Sequence, residues 1–198
     1  METTQKSLVG TKTQVNLANA YVSESCAYTR YTFFAQQAQK EQYYQFANIL
    51  NETAANELHH AKIYFKYLNE GGVKTDPIAV DAGVIGTTLE NLKVAAEEER
   101  VEGVDQYIKA AEVAEEEGFQ EIADRFRAIA TVEGHHRDRF LKMADQIEKG
   151  TVWKSEDGKA IKWQCEVCGY IFEGVTPPEK CPACYHPYQH FMREETNY

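Results

Sequence analysis

The sequence has little positive charge and no long apolar run. Its 198 residues include 21 Lys and Arg against 31 Asp and Glu, which gives a formal net charge of −10. Such a chain lacks the basic surplus that displaces counterions from nucleic acids or that anionic membranes attract. No segment approaches the roughly 20 apolar residues that span a bilayer, and residues 1–13 are polar. We therefore expect a cytoplasmic protein that binds neither nucleic acid nor membranes.

Cysteine is almost absent from the first three quarters of the chain, where only Cys26 occurs. The other four cysteines form two Cys-x-x-Cys pairs, Cys165 with Cys168 and Cys181 with Cys184. In a cytoplasmic protein this crowding is typical of a metal site rather than of disulfides. The spacing Cys-x2-Cys-x12-Cys-x2-Cys predicts a tetrahedral four-thiolate site, but spacing alone does not distinguish zinc from iron. Cys26 has no evident role beyond that of a small apolar side chain.

Four helices are predicted from apolar and aromatic residues that recur every three or four positions. They cover residues 13–39, 41–70, the stretch from a cap at Thr88 to about residue 117, and 119–149. Residues 72–86 contain Pro77 and have no helical period, so they predict a long crossover between two helical hairpins. Beyond residue 159 alternation replaces the helical period and predicts short strands. We therefore expect a mainly α protein with a helical domain over residues 1–150 and a small domain over residues 151–198.

The inward-facing stripes of these helices carry acids and histidines among their apolar residues. A Glu-x-x-His pattern places both side chains on one helix face, and it occurs at Glu57 with His60 and again at Glu133 with His136. A lone helix acid precedes each pair by 33 or 34 positions, so the second hairpin resembles a copy of the first. His59 and His135 fall off the stripes. The inward-facing set is Glu24, Glu57, His60, Glu99, Glu102, Glu133 and His136.

Five carboxylates in one small helical core require cations, because an unpaired buried carboxylate costs several kcal/mol. Oxygen and imidazole ligands at two matched positions suit a pair of iron or manganese ions. Ferritin-like four-helix bundles hold such a pair with one Glu from each of two helices and a Glu-x-x-His from each of the others. Glu24 and Glu99 supply the lone acids. Glu102 could instead be a solvated acid near the end of the bundle.

Together these motifs resemble the rubrerythrin family over nearly the whole chain. The resemblance implies a ferritin-like bundle followed by a small rubredoxin-like β/knuckle domain. It also implies a non-haem di-iron centre held by the seven bundle residues, with Glu102 alternating with His60 as a ligand. Tyr31 and Tyr107 match tyrosines that lie behind the ligands in that family. The four cysteines then hold one rubredoxin-type iron, namely Cys165, Cys168, Cys181 and Cys184.

The resemblance further implies a peroxidase that reduces hydrogen peroxide to water in oxidative-stress defence. Electrons would reach the di-iron centre through the rubredoxin-type iron from a rubredoxin or an NAD(P)H-dependent reductase. The chain has no glycine-rich phosphate-binding fingerprint, so the nicotinamide is expected on a separate protein. A homodimer or higher oligomer is implied, and helices exchanged between subunits remain possible. Two other functions stay open: a ferroxidase or iron-storage bundle, and a non-enzymatic zinc-ribbon scaffold.

Overall fold

The computed structural model describes residues 6–75 and 83–194. Two long helices form the first hairpin, and a broken rod pairs with a third long helix to form the second. The helices are α1 (Lys12–Lys40), α2 (Tyr44–Tyr67), α3 (Thr88–Glu98), a π-helical segment (Glu99–Gln106), α4 (Tyr107–Glu116) and α5 (Gln120–Lys149). The predicted mainly helical fold is therefore confirmed. Pro77, in the predicted crossover, lies outside the described residues.

The third rod begins one residue earlier than the sequence predicted. The hydroxyl of Thr87, not of Thr88, caps α3 by accepting a hydrogen bond from the N–H of Glu90. The Glu90 carboxylate accepts a bond from the N–H of Thr87 in return, which makes a capping box. Thr88 is instead the first helical residue and is fully buried. At the other end of the second hairpin, Gly150 closes α5 in the left-handed conformation at φ 64°.

The periodicity predicted one continuous α-helix for this rod, and that prediction was wrong. Residues Glu99–Gln106 adopt a π-helix. Within it the Gly103 backbone packs directly on Glu133 of α5. A Cβ atom added to Gly103 would lie 2.5 Å from both Cβ and Cγ of Glu133, which no real side chain permits. Glu99, the first residue of this segment, is buried in the core. Short π-helical segments are rare and concentrate at functional sites.

Two apolar clusters fill the bundle, one toward each end. Tyr31, Phe46 and Phe140 belong to the first, and Tyr64 and Phe126 belong to the second. On every helix the predicted acid or histidine lies in sequence between residues of the two clusters. The polar groups therefore form a layer in the middle of the bundle, shielded above and below. The helical spacing also predicts Tyr21, Tyr28 and Gln106 on the inward stripes, but in the structure all three are exposed.

The C-terminal part contains a three-stranded antiparallel sheet in the order β2-β1-β3. The strands are β1 (Ile161–Cys165), β2 (Ile171–Gly174) and β3 (Phe191–Arg193). Trp163 pairs with Phe172 and Arg193 across the sheet, is fully buried, and donates its indole N–H to the carbonyl of Gly174 at 2.9 Å. The predicted small β domain is thus present, while the boundary at residue 150 stays a prediction. In the described residues no helix is both long and apolar enough to cross a membrane.

Candidate metal centres

Two buried clusters of carboxylate and imidazole groups lie side by side in the polar layer. Site A comprises Glu24, Glu57, His60 and Glu133, and site B comprises Glu57, Glu99, Glu133 and His136. Within each site, one potential ligand atom per residue lies within 4.8 Å of all the others. Glu57 and Glu133 belong to both sites. They therefore occupy the position of carboxylates that bridge two ions.

The imidazole contacts in the two sites follow the same pattern. In site A, Nδ1 of His60 lies 3.0 Å from Oε2 of Glu57, 2.9 Å from Oε1 of Glu133 and 3.6 Å from Oε2 of Glu24. Ligands held ~2.1 Å from a common ion in octahedral directions lie ~3.0 Å from one another. The two shorter separations match this spacing, so the cluster fits one metal ion.

Site B repeats this geometry around the second histidine. Nδ1 of His136 lies 2.9 Å from Oε2 of Glu133, 3.1 Å from Oε1 of Glu57 and 3.7 Å from Oε1 of Glu99. Each shared carboxylate thus presents one oxygen to each imidazole. The duplicated sequence pattern has produced two matched half-sites.

Several polar atoms of these sites are buried without a well-oriented hydrogen bond. They are Oε1 of Glu57, both carboxylate oxygens of Glu133 and Nδ1 of His136. Buried polar atoms are nearly always satisfied, because an orphaned one costs about 1–3 kcal/mol. A cation in each site would satisfy all of them. The residues therefore fit a di-metal centre, and their mixed oxygen and nitrogen donors suit iron or manganese.

The outer acids favour their protonated forms when no metal is bound. Burial raises the pKa of Glu24 to about 8, and the nearby charges of Glu133 and Glu57 act in the same direction. Burial and the same two charges raise the pKa of Glu99 well above its usual range. Each pKa is raised because the site concentrates negative charge away from water. Such a site attracts cations strongly.

The imidazoles hold protons in place of a metal ion. Burial lowers the pKa of His60, but contacts with Glu133, Glu24 and Glu57 outweigh it and raise that pKa to about 12. The same balance raises the pKa of His136 to about 9. Burial likewise raises the pKa of Glu57, but close contacts with His136 and His60 lower it to about 2. Metal must therefore displace protons to bind.

Two buried tyrosines orient the outer acids. The hydroxyl of Tyr31 donates to Oε1 of Glu99 at 2.8 Å, and that of Tyr107 donates to Oε1 of Glu24 at 2.6 Å. Burial raises the pKa of both phenols well above its usual value, so both remain protonated donors. In Glu24 the oxygen bound by Tyr107 is Oε1, and Oε2 faces His60, whereas in Glu99 the same Oε1 accepts from Tyr31 and lies nearest His136. These are the two tyrosines singled out in the sequence.

Glu102 is the one predicted ligand that the structure does not bring into either cluster. It is half-buried and lines a small cavity of about 20 Å³ beside the carboxylates. This space holds about one water-sized molecule. His60, the residue expected to alternate with Glu102, belongs to the cluster at site A.

The four cysteine sulfurs converge in the small domain. Sγ of Cys165 lies 3.7 Å from Sγ of Cys184, and Sγ of Cys168 lies 3.6 Å from Sγ of Cys181. All four lie within 4.8 Å of one another. Thiolates ~2.3 Å from a central ion are ~3.8 Å apart in a tetrahedron, so the geometry fits one metal ion.

One residue beside this site was not found by sequence reasoning. Nδ1 of His186 lies 3.3 Å from Sγ of Cys184. Its position two residues after the last cysteine is the only signal that could have indicated it. The imidazole places a polar group against one thiolate.

Aromatic and amide contacts hold the four-cysteine site against the start of α2. The rings of His190 and Tyr44 stack with centroids 4.0 Å apart, and Asn48 donates to Glu166 at 3.0 Å. Trp153, just after α5, stacks on Tyr43 at 5.4 Å. The small domain is thus seated on the helical bundle of the same chain.

A second feature missed in the sequence borders the small cavity beside both sites. A run of three glutamates at positions 97–99 predicts that Glu98 faces water, but it forms an ion pair with Arg30, and the side chains are only 19% and 16% exposed. Arg30 is the only basic residue of α1 between Lys12 and Lys40. A single positive charge at this place in the helix could have indicated from the sequence that it pairs with an acid. His59 and His135 are exposed, as expected, and Cys26 is half-buried.

Comparisons with known proteins agree with this arrangement. The rubrerythrin family model matches residues 16–144, and the rubrerythrin rubredoxin-like domain model matches residues 163–192. Rubrerythrin of Porphyromonas gingivalis is 47% identical over 193 residues, covering 98% of this chain and 95% of that protein.

Solved structures show the same architecture. Fully reduced nigerythrin aligns with a TM-score of 0.61 at 30% identity, covering 98% of this chain and 92% of that one. Bacterioferritin of Desulfovibrio desulfuricans, at 18% identity, aligns with a TM-score of 0.60 over 71% of this chain and 82% of its own, which supports the ferritin-like fold. The bundle thus contains candidate di-iron ligands, and the small domain contains a rubredoxin-like four-cysteine site. The chain belongs to the rubrerythrin family.

Proposed function

We propose that this protein is a non-haem di-iron peroxidase that reduces hydrogen peroxide to water. The observation that carries the proposal is the pair of matched sites sharing Glu57 and Glu133, joined in one chain to a four-cysteine site. Membership of the rubrerythrin family supports an iron-dependent role in oxidative stress. Two adjacent irons would supply the two electrons that cleavage of one O–O bond requires.

We assign the ligands by position. Site A would use Glu24, Glu57, His60 and Glu133, and site B would use Glu57, Glu99, Glu133 and His136. Glu102 lines the small cavity together with Glu24 of site A and Glu99 of site B, and we propose that it exchanges with His60 when the oxidation state changes. The four-cysteine site would hold one rubredoxin-type iron through Cys165, Cys168, Cys181 and Cys184.

The protein's own residues would hold the carboxylates in position and shield the centre from bulk water. Tyr31 and Tyr107 hold one oxygen of each outer acid, so these carboxylates keep their orientation as the charge of the centre changes. The two apolar clusters exclude bulk water from the polar layer. The cavity beside Glu102 would hold a substrate of only a few atoms.

The four-cysteine domain would act as the electron relay. Four-thiolate iron changes charge by one electron with little rearrangement, which suits a relay. We propose that a rubredoxin or an NAD(P)H-dependent reductase supplies the electrons and that the protein works in the cytoplasm as a homodimer or higher oligomer. The relay is also the feature that an iron-storage shell does not need.

The test is a single-turnover reaction. The purified protein is reduced anaerobically, mixed with stoichiometric peroxide, and followed through the visible bands of the four-thiolate iron. We expect rapid return of these bands with peroxide and slower return with oxygen. Reoxidation that is absent, or no faster with peroxide than with oxygen, would contradict the peroxidase proposal.

The rival functions give different results. A ferroxidase or storage shell would elute as a large multimeric cage and would react preferentially with oxygen. A zinc-ribbon scaffold would be colourless and would contain zinc at the cysteines. Sizing and metal analysis on the same preparation therefore separate all three.

A further inference from the structure

A large groove runs along the outside of the bundle between α1 and α3. It has a volume of about 1020 Å³, and its walls are mostly apolar. Cys26 and Phe33 of α1 and Val94 of α3 lie along it. The groove is distinct from the small cavity above the carboxylates, which lies between α1 and the π-helical segment.

Arg30 and Glu98 line both spaces. They extend from α1 and from the end of α3, and their ion pair spans the gap between the two elements. On one side of the pair is the groove, and on the other are Glu24, Glu99 and Glu102. At this point the Arg30–Glu98 side-chain contact therefore lies between the groove and the small cavity beside the metal ligands.

We propose that the Arg30–Glu98 ion pair is a gate that admits hydrogen peroxide from the groove to the di-iron site and excludes bulkier hydroperoxides. The proposal rests on the proposed function for its substrate. The gate itself is inferred from the groove, the small cavity and the ion pair between them.

The position of the pair suits repeated opening. The side chains of Arg30 and Glu98 are 16% and 19% exposed, so opening toward the groove rehydrates both charges instead of stranding them in the core. Burial lowers the pKa of Arg30, but the charges of Glu98 and, more weakly, Glu102 raise it overall. The guanidinium thus stays charged and has a second carboxylate nearby. It can leave Glu98 without losing all compensation.

The size of the inner cavity provides the selectivity. A space of about 20 Å³ accepts roughly one water-sized molecule, so hydrogen peroxide needs only a small adjustment. An aryl hydroperoxide would fit the apolar groove but could not pass while the ion pair is closed. Arg30 and Glu98 would therefore determine specificity without contacting the ligands.

The first test measures access without peroxidase activity. Azide is mixed with the oxidised iron-loaded protein, and its binding rate at the di-iron site is followed by absorbance. We expect Arg30→Ala and Glu98→Ala to raise the rate on the order of tenfold, equivalent to about 1.4 kcal/mol of opening free energy. Arg30→Lys should stay near the wild-type rate.

The matched control is an ion pair elsewhere on the bundle. Arg139 of α5 binds Glu52 of α2 through two hydrogen bonds of 3.2 and 2.9 Å, with Arg139 23% and Glu52 62% exposed. Arg139→Ala should leave azide binding unchanged. If Arg30→Ala and Arg139→Ala change the azide-binding rate equally, the effect comes from a general loosening of the helical bundle, and the gate is refuted.

A second measurement leaves the ion pair intact. A bulky maleimide on Cys26, which lines the groove one helical turn before Arg30, should slow azide binding several-fold. Cys26→Ser treated with the same reagent corrects for reaction at other thiols. Azide behaviour that is the same with and without the adduct, including no binding in either case, would overturn the proposal.

The third measurement concerns selectivity. The rate with cumene hydroperoxide should rise about tenfold in Arg30→Ala, while the rate with hydrogen peroxide should change less than about threefold. Equal rates for both peroxides in the wild type would refute the selectivity. If neither peroxide reacts but Arg30→Ala still raises the azide-binding rate, the peroxidase proposal fails and the gate is supported.

Discussion

Glu57 and Glu133 each turn one oxygen toward His60 and the other toward His136, so a single side chain supports both halves of the centre. Losing a lone outer acid would affect one site. Losing a shared acid removes a ligand from both sites and takes one of the close carboxylates away from each imidazole. The shared acids are therefore the positions where one substitution tells most about the centre.

We expect Glu57→Ala to abolish the di-iron centre and to leave the four-cysteine site intact. The four sulfurs form their own cluster in the small domain, and no bundle residue joins it in the described residues. Iron analysis should fall from three ions to one per chain with the thiolate colour retained. Glu52→Ala, on the exposed face of the same helix, is the control. Loss of both sites would show that they are not independent.

Tyr107→Phe should weaken the protein and site A together. The substitution deletes the 2.6 Å hydrogen bond to Glu24 and leaves a buried carboxylate oxygen without its donor. We expect a loss of about 1–3 kcal/mol in the free energy of unfolding. Thermal denaturation and the metal affinity of site A would both report it. Tyr28→Phe, at an exposed position, should change neither.

Metal loading should release protons, and the number should fall at alkaline pH. In metal-free protein at about pH 7, His60, His136 and Glu24 hold protons because their pKa values are raised to about 12, 9 and 8, respectively. Binding needs the deprotonated forms, so about three or more protons should appear per chain, and affinity should drop as pH falls. Above about pH 9, Glu24 and His136 lose their protons beforehand, and the release should shrink. A pH indicator in weakly buffered solution measures it; release independent of pH would contradict the assignment.

At the scale of the elements, the inward stripes show how far sequence reasoning reached. Glu57, His60, Glu133 and His136 could be placed together because helical spacing fixes the face of a long regular helix. The same rule failed on α1, where Tyr21 and Tyr28 step with Glu24 but are exposed. The polar residues that cover much of α1 leave the edge of its inward face poorly defined.

The π-helical segment could not be predicted from periodicity. Its wider turn depends on contact between Gly103 and Glu133, which are 30 positions apart in sequence but adjacent in space. Local patterns do not encode such tertiary contacts. The Arg30–Glu98 pair was missed for the same reason, since a run of three glutamates gives no sign of which one meets a cation.

Gly103→Ala should disrupt the centre through sterics alone. The new methyl would lie 2.5 Å from Cβ and Cγ of Glu133, so Glu133 or the π-helical segment must move. We expect a loss of about 1–3 kcal/mol in the free energy of unfolding and a large drop in di-iron content. Gly134→Ala is the matched control, because its methyl would meet only Val104 Cγ2 at 3.9 Å. It should be neutral or stabilising, since alanine favours a helix interior.

At the scale of the whole molecule, the contact that holds the four-cysteine domain against the helical bundle is small. The contact with α2 depends on a few side chains, chiefly the stack of Tyr44 on His190 and the bond from Asn48 to Glu166. A second stack joins Tyr43 to Trp153. So few contacts predict a domain that separates from the bundle more readily than either part unfolds.

Tyr44→Ala should loosen that seating without affecting either metal site. The stacked pair contributes about 0.5–1.5 kcal/mol, so the separated state should become about fivefold more populated. Because residues 151–160 connect the two parts, protease cleavage there should accelerate by a similar factor. Iron content and the thiolate spectrum should stay unchanged, since Tyr44 belongs to neither cluster. Phe65→Ala, an exposed aromatic on the same helix, serves as the control. If cleavage is unchanged in Tyr44→Ala while both sites remain loaded, other contacts hold the domain, and the stack is not what seats the relay on the bundle.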